Sequence, residues 1–554
     1  MTQTLIRRNA WHPTTLLLAL AVWLATLGNV PLWRAIWRLP ETQGPHALMT
    51  LMTLAAAVLA FTLVFLCLLV WPRWLKPVAL VLLALAATSS YFMQSYGVVI
   101  DASMIANVVQ TNPQEALDLL SWSMLGTLGL GLVLPGLWLW RQQLRPVGAG
   151  RLAWQQLGTL ALALLLAVVL LWASFQDLAS LMRNHKSLRY MINPFNTVYA
   201  LGRHGLGQAA QAQQVLQPVG EDAHLAVPAS NPASAPLILL VVGETARAVN
   251  FGLNGYARDT TPELRQLQQD GDLVYFSQVS SCGTNTQTSV PCMFSHLGRK
   301  DFVGNDARYE NVLDVIQRAG LAVLWLDNQA GCKGVCDRVP HADTQALKSP
   351  ALCQGGDCLD ESLLQILPEQ LARLDPAKTA RGTVVVMHQM GSHGPAYSKR
   401  SASARKAFTP ECTSHALQDC LPEQITNAYD NSLRETDHFL AQTIHWLQAQ
   451  AKERPTALMY VSDHGESLGE KGLYLHGMPY ALAPQEQTHV PMLMWFSKGM
   501  QQSLDLSVDC AQAQAGKPWS HDNLFHTLLG LSGVQTRVAQ ASRDILSTCE
   551  RKLL

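Results

Sequence analysis

The sequence predicts a chain in two parts, a bundle of five membrane-spanning α-helices over residues 1–175 and an α/β domain with a mainly parallel sheet over residues 236–554. A bridging segment, 176–235, is expected to join them. Three observations carry this expectation. Almost all the long apolar runs lie in the first 175 residues, ten of the eleven cysteines follow residue 281, and beyond the linker short β-type runs alternate with amphipathic segments. A chain of 554 residues is also too long for one ordinary core. Its 40 Lys and Arg balance its 40 Asp and Glu, and no sustained basic block with interleaved aromatics points to a nucleic-acid partner.

Five apolar stretches, roughly 14–32, 47–71, 77–96, 121–140 and 153–174, are each long enough to cross a bilayer. Basic residues set the orientation: Arg7 and Arg8 precede the first span, Arg73 and Lys76 follow the second, and Arg141, Arg145 and Arg151 follow the fourth. These segments are expected on the cytoplasmic side, so everything after Trp172 falls on the opposite side, where disulfides form. Arg34 and Arg38 conflict with that assignment, and their neighbours Trp33, Trp37 and Leu39 read as an interfacial amphipathic turn. In the polar loop 95–120, Asn107, Thr111 and Glu115 are four residues apart and would share one helical face. On spacing alone, the solvated face of a connecting helix is the simpler reading of these three residues. From Phe175 the basic residues Arg183, His185, Lys186 and Arg189 alternate with apolar ones, as in a helix lying on an anionic surface. An Ala/Pro/Ser stretch, 226–236, then reads as a linker.

In the second part, β-type runs at Leu237–Val242, Leu321–Leu326, Thr383–Met387 and Ala457–Val461 alternate with helix-like spacing, as at Asn311–Arg318 and Asn431–Gln448. Ligands in such sheets bind beyond the carboxyl ends of the strands. Those ends carry Gly243-Glu244-Thr245, His388-Gln389-Met390-Gly391-Ser392-His393-Gly394 and Ser462-Asp463-His464-Gly465-Glu466. A mixed carboxylate and imidazole set suits a Zn²⁺ ion that keeps a position open for substrate. The hydroxyl-rich segment 281–289 offers several nucleophiles, and spacing does not say which one acts. The cysteines fall as Cys282 with Cys292, Cys332 with Cys336, Cys353 with Cys358 and Cys412 with Cys420, leaving Cys510 and Cys549. An even set of this kind fits disulfides, though spacing does not fix their connectivity.

With these residues in view, the chain resembles the lipid A phosphoethanolamine transferases, which include the mobile colistin-resistance enzymes, within the alkaline phosphatase and sulfatase superfamily. The resemblance spans essentially the whole chain. It rests on VVGETAR (241–247), CGTNTQTSVPCMFS (282–295), DNQAGCKGVCDRVP (327–340), HQMGSHGP (388–395), YDNSLRETD (429–437) and SDHGESLGE (462–470). It implies a catalytic zinc between Glu244, Thr286, Asp463 and His464, with Thr286 the residue that becomes modified. It also implies that Lys333, His393 and His476 line the phosphate and ethanolamine site, that His388 is linked to additional zinc, and that Asn107, Thr111 and Glu115 bind substrate lipid. The implied reaction moves phosphoethanolamine from phosphatidylethanolamine to a lipid A phosphate, at the periplasmic face of a bacterial inner membrane, by an enzyme that needs no more than a monomer. Asn285 departs from the Ala or Ser of many relatives. Rival readings are a transferase of the same fold acting on lipopolysaccharide core sugars, a glycan or a protein, and a hydrolase. The sulfatase signature is absent, because Cys420-Leu421-Pro422 continues with Glu423 and Gln424.

Overall fold

The computed structural model describes residues 10–39, 47–71, 73–110, 116, 119–212, 214–226, 232–303, 305, 307–344, 347, 349, 351–354 and 357–549. The chain divides into two compact units, one formed by residues 1–105 and 120–205, the other by 106–119 and 206–554.

Among the described residues of the first unit, five helices are long and apolar enough to cross a membrane: Pro13–Trp37, Leu51–Leu69, Leu75–Tyr96, Trp122–Arg141 and Ala149–Trp172. They lie where the five apolar stretches were expected. The basic connections gather at one end of the bundle. There the Trp11 N–H donates to the Gln143 carbonyl, the Arg145 N–H to the Trp11 carbonyl, and Lys76 Nζ to the Trp140 carbonyl. Arg34, the basic residue at odds with the charge rule, donates from its guanidinium to Gln94 Oε1 at 2.8 Å, near the far end of Leu75–Tyr96. The segment expected to form one amphipathic helix is broken instead: the α-helix Phe175–Asn184 ends before His185, Lys186–Met191 is a 3-10 turn that carries Lys186 and Arg189, and a second α-helix, Phe195–Ala212, follows. Part of the expected linker region is tied down: His224–Leu225 pairs with Val534–Gln535, and the Gln217 N–H donates to the Arg308 carbonyl.

The second unit is built on a seven-stranded sheet. Its strands are β1 (Leu237–Gly243), β2 (Leu273–Phe276), β3 (Ala322–Asp327), β4 (His341–Asp343), β5 (Thr383–His388), β6 (Thr456–Ser462) and β7 (Met492–Phe496), in the spatial order β2-β7-β6-β1-β5-β3-β4. The run from β6 to β4 is parallel, while β7 and β2 add an antiparallel edge. The apolar runs of β1, β5 and β6 are continuous because both faces of the sheet are covered. Ile238, Leu240 and Val242 pack in one core with the helices Thr286–Met293 and Val312–Arg318, whereas Leu237, Leu239 and Val241 pack in a second core with Pro422–Gln450. Five disulfides close this unit: Cys282–Cys292, Cys332–Cys336, Cys353–Cys358, Cys412–Cys420 and Cys510–Cys549. Cys67, in an apolar helix of the first unit, is a free thiol.

A single buried carboxylate shapes the loop beyond β5. Asp360 accepts hydrogen bonds from the Met390 N–H, the Gly391 N–H, Asn328 Nδ2 and Gln389 Nε2 at 2.8–3.1 Å. Asp360→Ala leaves the Met390 and Gly391 N–H groups and Gln389 Nε2 without this acceptor, while Asn328 Nδ2 keeps the Cys358 carbonyl, and the expected loss is about 3 kcal/mol. Thermal unfolding of the full chain in detergent checks this; an unchanged melting temperature rules out a structural role for Asp360.

Candidate active site

Four neighbouring parallel strands end at the same edge of the sheet. Register pairs Ser462 of β6 with Gly243 of β1, Val242 of β1 with His388 of β5, and His388 with Asp327 of β3. The residues following β6 and β1 are therefore Asp463 and Glu244 on adjacent strands. Between them the backbone turns through Thr245, a β-branched residue at φ 54°, a conformation that costs energy and places its N–H 3.2 Å from Asp463 Oδ1. Gly391, at φ +53°, crosses so closely that a Cβ there would lie 2.6 Å from the Glu244 carbonyl oxygen, so only glycine fits.

Thr286 opens the helix Thr286–Met293, and its Oγ1 donates to Glu244 Oε2 at 3.0 Å and lies 3.4 Å from His464 Nε2. Asn285, the residue that departs from many relatives, is the N-cap: its Oδ1 accepts the Thr288 N–H at 2.9 Å. Cys282–Cys292 straps the same segment. Of the hydroxyls offered by 281–289, Thr286 is the one in hydrogen-bond reach of a candidate metal ligand's side chain. Thr284 Oγ1 instead donates to the Met478 carbonyl, and Ser289 Oγ to the Asp463 carbonyl.

Glu244, Asp463 and His464 are fully buried, and their ligand atoms lie within 4.8 Å of one another. His464 Nδ1 faces the Gly465 carbonyl at 2.9 Å, an oxygen that can only accept, so Nδ1 carries the proton. Its Nε2 lone pair then faces Glu244 Oε1 at 3.4 Å and Asp463 Oδ2 at 3.3 Å. Three electron-pair donors converge with no proton between them, and Asp463 Oδ2, though buried, accepts no hydrogen bond. Burial pushes the Asp463 carboxyl up to about 6, opposed by the charge of His388, and holds His464 well below the ordinary imidazole value. A divalent cation reverses both penalties, so the donor set fits a metal. Among the described residues the other group with metal-ligand proximity is Cys332, Cys336 and Asp337, and its two sulfurs are bonded to each other.

Two of the expected histidines lie beside this centre. The His476 ring is 4.4 Å from that of His464 and 5.6 Å from that of His393. Burial holds His393 well below its ordinary value, and the charges of His476, Arg400 and Lys333 act in the same direction. Lys333 has φ 52°, and its Nζ donates to the Ala330 carbonyl at 2.9 Å. His388 stands outside the metal-sized group; its Nδ1 contacts Asp327 Oδ2 at 3.2 Å, while its buried Nε2 has no hydrogen-bond partner. Asn107 lies on the helix Ala102–Gln110, and Thr111 and Glu115 lie outside the described residues.

The sequence reading missed the residues that hold this set in place. Gln329 Nε2 donates to Glu244 Oε2 at 2.9 Å, Asp327 orients His388, and Glu466 Oε2 contacts His476 Nδ1 at 2.8 Å. All three sit inside the motifs quoted for the resemblance, so their signal was present without a role attached. His521 had no such signal. It accepts the Cys282 N–H at Nδ1 and contacts the Ser462 carbonyl at Nε2, tying the loop that leads to Thr286 to the end of β6.

Residues 236–534 match the family described as Sulfatase, and residues 57–208 match the family described as Phosphoethanolamine transferase EptA/EptB. The chain is 40% identical over 557 residues to the phosphoethanolamine transferase EptA of Escherichia coli (strain K12), covering 100% of both chains. It is 38% identical over 505 residues to the phosphatidylethanolamine transferase Mcr-1 of Escherichia coli, covering 89% of this chain and 91% of that one. The solved integral membrane lipooligosaccharide phosphoethanolamine transferase A (EptA) of Neisseria meningitidis superposes with a TM-score of 0.92 at 34% identity, over 98% of this chain and 100% of that one. The spans, the sheet and the full-length likeness agree, and the chain belongs to the phosphoethanolamine transferase EptA family, with a sulfatase-type second unit.

Proposed function

We propose that this chain transfers phosphoethanolamine from phosphatidylethanolamine to a phosphate of lipid A, by way of a covalent phosphoethanolamine-threonine at Thr286. The observation that carries the proposal is the buried hydroxyl of Thr286 hydrogen-bonded to Glu244 beside Asp463 and His464, in a chain with membrane-spanning helices. Glu244, Thr286, Asp463 and His464 are the residues that would hold zinc. Bound there, zinc would supply Lewis acidity that eases loss of the threonine proton and offsets charge on phosphate oxygens.

In the first step, Thr286 Oγ1 attacks phosphorus; the Oγ1–P bond forms and the bond from phosphorus to the diacylglycerol oxygen breaks. The threonine proton is directed at Glu244 Oε2. We assign delivery of a proton to the departing diacylglycerol oxygen to His476, whose Nδ1 is held by Glu466 Oε2, with Lys333 and His393 binding the phosphoethanolamine. In the second step an oxygen of a lipid A phosphate attacks the same phosphorus, the Oγ1–P bond breaks and Thr286 regains its proton. Thr286 is the first residue of the helix Thr286–Met293, and the positive end of a helix is a setting that favours phosphate. Asn107, Thr111 and Glu115 are proposed to hold substrate lipid, with the domains divided at 175 and 235, the second unit in the periplasm and the chain acting as a monomer. Both substrates are membrane lipids, so anchoring raises their effective concentration. The product carries an added ammonium group, which lowers the attraction of the surface for cationic peptides such as polymyxins.

Mass spectrometry of lipid A from cells with matched membrane levels of each variant tests the reaction. The native chain is expected to add a phosphoethanolamine mass, and Thr286→Ala to lower the yield by about a thousandfold or more. An increment that survives Thr286→Ala sinks the nucleophile assignment, and no increment from well-expressed native chain turns the acceptor toward core sugars or a glycoprotein. Metal content gives a second test: Asp463→Ala and His464→Ala are each expected to lower zinc in the purified chain by about tenfold or more. Unchanged zinc in both variants removes them from the ligand set.

A further inference from the structure

A cavity in the membrane unit lies far in sequence from Glu244, Asp463 and His464. It is a groove of about 700 Å³, within the range of about 300–1,000 Å³ usual for ligand clefts. Three helices line it: Pro13–Ala25 through Thr14 and Leu18, Ala47–Leu69 through Leu59 and Leu63, and Ala149–Ala173 through Gln155 and Leu166. The lining is graded. His12, Thr14, Gln155 and Thr159 supply polar atoms at the mouth, while the far walls are leucine and alanine. Gln155 Oε1 is buried there and accepts no hydrogen bond.

The groove's length is set by helix geometry. From Gln155 to Leu166 the lining runs eleven residues along one helix, about 16 Å at 1.5 Å per residue. That is about one leaflet, half of a hydrocarbon core of about 30 Å. Leu18, Leu162 and Leu166 remain 45–68% exposed along its edge, so an acyl chain can enter sideways from the bilayer.

Charge at the mouth has one sign. Arg151 lies one turn before Gln155 on the same helical face and is exposed, and the Arg145 N–H is bonded to the carbonyl of Trp11, beside His12. Segments 10–39, 47–71 and 119–173, which build the groove and its mouth, contain no Asp or Glu. Nothing acidic therefore offsets the two guanidinium groups, and their complement is an anion attached to a hydrocarbon tail.

We infer that this groove is a binding site for one anionic glycerophospholipid of the leaflet at the basic end of the bundle, distinct in chemistry from the zwitterionic donor. Its phosphate lies between Arg145 and Arg151, its ester region meets Gln155 and Thr14, and one acyl chain follows the leucine wall between the three helices.

Native mass spectrometry of the full chain in detergent, with added dioleoylphosphatidylglycerol or dioleoylphosphatidylcholine, tests the site. One phosphatidylglycerol is expected to be retained per chain, about tenfold more strongly than phosphatidylcholine, and Arg145→Gln with Arg151→Gln is expected to remove that preference. Gly158→Leu provides an independent test without changing charge. Gly158 lines the groove and a Cβ there meets nothing within 4 Å, so a leucine at this position is expected to occupy groove volume and displace the acyl chain. Equal retention of the two lipids by the native chain overturns the inference. So does a preference that survives the arginine substitutions, and so does retention unaffected by Gly158→Leu, which would put the lipid on surface arginines alone.

Discussion

The structure of the second unit turns on holding Glu244 and Asp463 side by side, both fully buried, with the lone pair of His464 between them. Such an arrangement is unfavourable without a cation, because like charges in a dry interior oppose one another and none of the three groups supplies a proton to the others. Everything nearby reads as the means of enforcing it. Parallel pairing of β6 with β1 fixes the separation of the two strand ends. The unusual backbone of Thr245 aims an N–H at Asp463, and Gly391 closes against Glu244 from the next strand. A cation held there would offset this cost, and by linkage its binding would then stabilise the fold.

A second tier of contacts braces the site. Tyr429 Oη donates to the Thr245 carbonyl and accepts the Arg247 N–H, locking the turn after Glu244 from the long helix Pro422–Gln450. Tyr397 Oη donates to Glu466 Oε1, whose other oxygen faces His476. Orientation of an imidazole by a carboxylate that is itself hydrogen-bonded fixes which ring nitrogen is presented to the site.

Much of this was legible in the sequence for definite physical reasons. The five spans could be read because the bilayer demands about 20 apolar residues at a time, and β1, β3, β5 and β6 because strands buried on both faces are continuously apolar. Strand β4, three residues long and exposed at two of them, carried no apolar run to read, and β2 and β7 were not read either. They are four and five residues long, and their antiparallel pairing at the sheet edge leaves no periodic signal distinguishing them from a buried helical turn. In the site, Glu244, Asp463 and His464 stood out because they follow strand ends, whereas Thr286 was singled out from its neighbouring hydroxyls by family resemblance, since spacing along a hydroxyl-rich loop does not say which side chain meets Glu244. The motif YDNSLRETD was quoted without a role. Its residues turn out to brace loops, with Asn431 accepting the Ala407 and Phe408 N–H groups and Asp437 those of Glu263 and Leu264.

The Cys282–Cys292 bond encloses the segment that contains Thr286 and its N-cap. Without that bond the segment lacks its covalent tether, however complete the sheet beneath it is. Closing the ten-residue separation removes conformations from the unfolded chain, so the cross-link favours the N-capped start of this short helix independently of any contact the sheet makes with it.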